Sequence, residues 1–141
     1  MGVISNGVLD VFVPDGWKHF EGTDSEGKET PYKLFVYKNA NAPFDIFSKC
    51  GITICLTPAN KFYISPKHFY DNVEDISPMV MGKYQWNGYT CTSLGYPYVM
   101  LEAETEAGVL QAMILLKNGD NEIAFDDTDV KAVLESINIV L

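Results

Sequence analysis

With 141 residues, 47% hydrophobic and 13% aromatic, the chain is long enough for one domain, 1–141, with a substantial core, and too apolar to remain disordered. Its net charge of −9 sets it against nucleic acid and anionic bilayers, which clustered cations must neutralise. All ten basic residues are lysine, so the bidentate arginine fork for phosphate, carboxylate and guanine is missing, and a cationic or neutral partner fits better.

The chain starts MGVISNGVLD, without a basic segment followed by an apolar one, and no apolar run approaches the roughly 18 residues that span a bilayer. No transmembrane segment is expected, and the default compartment is the cytoplasm, with export if a leader was removed. Leu9, Val11 and Val13 alternate with Asp10 and Phe12, the pattern of a strand with one core face. Pro14 ends it, Pro-Asp-Gly supplies a turn, and Trp17 re-enters the core. Residues 21–31 are polar and glycine-bearing and read as an exposed loop. YKLFVYK (32–38) and GITICLT (51–57) are β-branched and aromatic strands. Ser65-Pro66 has the chemistry of a helix start, and Phe69, Tyr70, Val73 and Ile76 continue it at helical spacing until Ser77-Pro78 closes it. MVMGKYQW and YTCTSL then flank Asn87-Gly88, a hairpin signal. YVMLEAETE and VLQAMILLK flank a turn at Ala107-Gly108, and the second run is apolar enough for a central strand covered on both faces. Asn118-Gly119 turns into EIAF. Val130, Val133, Leu134 and Ile137 mark a terminal helix, with Asp126 or Asp127 as cap. The expected fold class is α+β: an antiparallel meander with helices packed on it.

The VPDGW unit at 13–17 and the LESI ending at 134–137, in this order of elements, resemble the Mog1/PsbP-like superfamily, which includes bacterial domains of unknown function. The resemblance covers nearly the whole chain. It implies an α/β/α sandwich and a non-enzymatic accessory or binding role. Both motifs are structural, so no functional residue is carried over.

Each conspicuous residue has a chemical reading and a packing reading. Trp17 and His19 share a strand face at i, i+2 and would wall a pocket, or serve as a core tryptophan and a surface histidine. Trp86, Tyr89, Tyr96 and Tyr98, with Tyr84, crowd one stretch and would form a binding rim or pack across strands. Glu102, Glu104 and Glu106 alternate, giving an acidic docking face or a solvated one. Cys50, Cys55 and Cys91 are odd in number, so they form no disulfide framework, although a Cys50–Cys55 bridge stays open for an exported chain. Four residues separate Cys50 from Cys55 and no second ligand pair follows, so zinc is not expected. HExxH, GxxxxGK[ST] and GxGxxG are absent, and no cofactor is expected. The leading reading is a non-catalytic interaction module for an unidentified protein partner, its oligomeric state open. The alternatives are a carrier holding a small apolar ligand between sheet and helix, and a hydrolase or transferase using Cys91 or paired carboxylates.

Overall fold

The computed structural model describes residues 2–140. The alternating Leu9, Val11 and Val13 all turn inward along β2 (Leu9–Val13), which pairs antiparallel with β1 (Gly2–Ser5) on one side and with the short C-terminal β12 (Asn138–Ile139) on the other. Pro14 ends β2, and Trp17, buried, opens β3 (Trp17–Thr23). The strand β3 and its neighbour β4 (Glu29–Lys38) form a hairpin over the stretch expected to be loop; only its tip, residues 24–28, is a turn. Then come β5 (Gly51–Pro58), β6 (Asp71–Met81), β7 (Tyr84–Ser93), β8 (Tyr96–Thr105) and β9 (Gly108–Leu115). A small hairpin, β10 (Lys117–Asn118) and β11 (Asn121–Glu122), precedes the helix α1 (Thr128–Ser136).

The large sheet has seven strands in the order β3-β4-β5-β9-β8-β7-β6, every neighbouring pair antiparallel. Its register sorts side chains into two sets of rows. One row runs Leu34, Ile54, Ala112, Leu101, Gly88, Ile76. It faces α1 and β2, whose Val130, Val133, Leu134, Leu9 and Val11 complete the main core. The next row runs Phe35, Thr53, Met113, Met100, Tyr89 and lies on the opposite, outer face. Ser136 ties helix to strand: its hydroxyl accepts the Phe12 amide (2.7 Å) and donates to the Val133 carbonyl (2.7 Å).

The α+β expectation of an antiparallel meander with helices packed on it, and with it the α/β/α sandwich, is corrected here. The antiparallel sheet is present, but one α-helix is found among the described residues and the fold is β-rich. The helix expected from Ser65 to Ile76 is the source of the error. Ser65 does cap a helical start, its hydroxyl accepting the Lys67 amide, but only a 3-10 turn, Pro66–Phe69, follows. The chain then becomes β6, whose pairing slips twice, between Asp71 and Glu74 and between Ile76 and Met79. Such bulges add unpaired residues to a strand, and Asn72 takes up a left-handed φ of 55° at the first one. Val73 and Ile76, three apart, thus point to opposite faces: Val73 joins the outer cluster and Ile76 the main core. Apolar spacing of three and four is shared by a helix face and by a two-sided strand.

A second correction concerns Asn87-Gly88, which lies mid-strand in β7; the β6–β7 turn is at Gly82-Lys83. A Cβ at Gly88 would stand 2.6 Å from Leu101 Cδ2 and 2.9 Å from the Met100 carbonyl, so this glycine serves close cross-strand packing. The terminal helix is found as expected, with Val130, Val133, Leu134 and Ile137 buried. Asp127 takes the N-cap position, but its carboxylate accepts the Ala124 amide (2.8 Å) preceding the helix.

Gly82 and Gly119 share a φ of +61°, but a Cβ at Gly82 would lie 2.2 Å from the Glu135 carbonyl oxygen, whereas one at Gly119 meets nothing within 4 Å. Alanine at Gly119 is therefore expected to cost about 1 kcal/mol, the left-handed penalty alone. Alanine at Gly82 should cost at least about 2 kcal/mol more, because the β6–β7 turn must back away from the end of α1. Urea denaturation of both variants checks the difference.

Candidate functional site

The residues singled out in the sequence divide between the two faces of the large sheet. Trp17 and His19 do share a face. They line a depression of about 740 Å³ together with Gly2–Ile4 and residues 13–18, Trp17 buried beneath it and His19 exposed on β3. No cysteine reaches it. Trp86 is wholly buried in the main core, edge-on to Tyr84 with ring centroids 6.1 Å apart. Tyr89 and Tyr98 belong to the outer face, so strand parity separates them from Trp86. Tyr96 is exposed beside the β7–β8 turn. The Nε1 atoms of Trp17 and Trp86 and the Tyr89 hydroxyl are buried without a hydrogen-bond partner among the described residues.

The glutamates also part company. Glu104 is exposed in a shallow depression with Lys83, Tyr84 and Glu106. Glu102 is half-buried, and its Oε2 accepts hydrogen bonds from the Tyr63 and Ser65 hydroxyls, each at 2.6 Å. This carboxylate clamps the segment 59–70 across the outer face. Charge-assisted O–H···O⁻ bonds of this length are the strong kind. Burial and the adjacent Glu102 carboxylate hold the Tyr63 phenol far above its ordinary range. Lys67 on the same segment pairs with Asp75 of β6 and lies over the Tyr89 ring, 5.6 Å from its centroid.

The three thiols are free. Cys50 and Cys55 are five residues apart on extended chain, roughly 16 Å, far beyond disulfide reach. Burial raises the pKa of Cys50, Cys55 and Cys91, the direction opposite to that of an activated nucleophile. No three His, Cys, Asp or Glu side chains converge on a common point among the described residues, and no helix there is long and apolar enough to cross a membrane.

No motif in the sequence pointed to a groove of about 900 Å³ on the outer sheet face. Its floor is Phe35, Tyr37, Thr53, Met113, Met100 and Leu115, contributed by β4, β5, β9 and β8. Tyr70, Ser93 and Tyr98 close one end; Lys33, Glu21 and Thr23 lie at the other. One wall is the 3-10 turn Pro43–Phe47, with Phe44 and Phe47 edge to face at 5.3 Å. That wall is fixed through its backbone. Asp45 accepts the Asn41 and Ala42 amides (2.7 and 3.2 Å), and the side chains of Asn118 and Asn121 donate to the carbonyls of Phe47 and Ser48 (3.1 and 2.8 Å). Yet Phe44 and Phe47 are 78% and 69% exposed. The only signal in the sequence was the apolar character of both parities in β9 and β8; nothing marked residues 43–47 as the wall.

The chain matches no known family model and no curated protein.

The phenols on the outer face give the site a pH signature. Burial, aided by neighbouring tyrosines, pushes Tyr98 up to about 12 from an ordinary 10.0. Tyr63 and Tyr89 shift in the same direction. A raised folded-state value means the stabilisation is complete below the unfolded-chain value near 10 and is lost as pH climbs toward the folded value near 12. Stability is expected to begin falling near pH 9, where the thiols that burial protects start to ionise in the unfolded chain, and to fall more steeply above about pH 10, where the phenols follow. Tyr98→Phe should make the fall shallower, read from urea midpoints across an alkaline pH series.

Proposed function

We propose that the protein is a non-catalytic binding module whose outer-face groove takes up an apolar ligand. The observation that supports this most is the anchored wall: the Asn118 and Asn121 side chains donate to the carbonyls of Phe47 and Ser48, while the two rings that the turn carries stay in water. Apolar rings presented on a fixed frame beside an apolar concavity are typical of binding surfaces. The volume of about 900 Å³ suits a small organic molecule. The place differs from the sheet–helix interface considered for a carrier, because that space is filled by core side chains.

A protein partner is the second reading, favoured by one further observation. The clamped segment 59–70 exposes Phe62 (86%), Ile64 (60%) and Phe69 (78%) on its outer side. A rim of this kind fits the apolar core of a partner interface.

Titration with the neutral dye Nile red tests the first reading. Saturable one-to-one binding is expected. Replacing both Phe44 and Phe47 by alanine should weaken it about tenfold or more, since each buried ring contributes about 1.5–3 kcal/mol, with the urea midpoint nearly unchanged. No saturable binding, or binding indifferent to the double substitution, would refute it. For the second reading, a photo-crosslinker at position 69 should give a discrete protein adduct that Phe62→Ser removes, without any change in Nile red binding.

A further inference from the structure

The groove is apolar along its floor, and its two charged lining residues, Lys33 and Glu21, lie at one end. Lys33 is the one ammonium lining it, and no carboxylate pairs with it among the described residues. Glu21, the one acidic residue at that end, is turned toward Asn6, whose Nδ2 donates to its Oε2 at 3.0 Å. The Lys33 stem leans over the β3 margin of the groove, where a Cβ at Gly22 would stand 2.4 Å from Lys33 Cγ. Its Nζ is 5.5 Å from the centroid of Phe35, a floor residue. The far end, at Tyr70 and Ser93, offers hydroxyls and no charge.

Register gives the length. The floor crosses four strands, three inter-strand spacings, about 14 Å. From the β3 margin to Ser93 on β7 there are five spacings, roughly 24 Å. An occupant with one negative end and a long apolar body matches this. An extended peptide does not: its amides need partners, and the strand amides beneath the groove are already paired in the ladder. A hydrocarbon chain carries no such demand. A second copy of this chain would bring another −9 of charge. One ammonium is enough for one carboxylate, whereas an anionic bilayer surface needs a cluster of cations.

We propose that the groove binds a single-chain amphiphile of the long-chain fatty-acid class, with its carboxylate on Lys33 and its hydrocarbon chain lying across the sheet toward Tyr70. This rests on the apolar-ligand reading above and adds the identity of the head and its position.

The test titrates the full chain with the fluorescent fatty acid cis-parinaric acid and with its methyl ester, alongside Nile red. The acid is expected to bind saturably. Lys33→Gln should weaken the acid about threefold to fivefold, the scale of a partly exposed ion pair, and leave the ester and Nile red unchanged. Added salt should weaken the acid and spare the ester, a readout that needs no variant. Equal binding of the acid by wild type and Lys33→Gln, or indifference to salt, would overturn the head-group assignment while Nile red binding still stands. Loss of all three probes would sink the groove reading itself. Dimer formation that displaces Nile red would give the groove to a second copy and overturn the proposal.

Discussion

An antiparallel sheet whose central strands are apolar on both faces must be covered twice. In β8 and β9 inward and outward residues alike are apolar: Val99, Leu101, Ile114 and Ala112 on one side, Met100, Met113 and Leu115 on the other. The inner face is covered by β2 and α1, both of which turn complete apolar stripes toward it. The outer face receives no comparable layer. Two irregular segments, 43–47 and 59–70, lie over it instead, and the gap between them is the groove.

This division sets the mechanical character of the two faces. The inner face is sealed by interlocking aliphatic side chains, with Ser136 stitching helix to strand. The outer covering is held by polar anchors at its margins: Asn118 and Asn121 for one segment, Glu102 for the other. Polar anchors fix a backbone without burying the rings that backbone carries. Phe44, Phe47, Phe62 and Phe69 are therefore presented in a defined frame while exposed. Glu102 illustrates how little an acidic pattern says alone. Glu102 and Glu104 lie on the same strand face, yet Glu102 is an internal clamp and Glu104 a solvated side chain.

Site residues were legible only where local periodicity decided them. Trp17 and His19 lie together because i, i+2 on one strand is a local relation. Tyr89 and Trp86 are three residues apart and fall on opposite faces for the same reason, so closeness in sequence does not place them in one site. The groove unites Phe35, Tyr37, Phe44, Tyr70 and Met113, separated by up to 78 positions, and no short-range pattern connects them.

β2, the strands β4, β5, β8 and β9, the turn near Ala107 and the terminal helix are legible in the order of residues, because each rests on a short repeat of apolar residues or on turn chemistry that acts over a few bonds. That residues 71–81 are a bulged edge strand, that Gly88 packs between strands instead of turning, and which loops stand over the outer face come from contacts between distant segments. Those choices turn on strand pairing and on the space left by distant neighbours. Such long-range contacts override local propensity where the local signal fits two structures equally well.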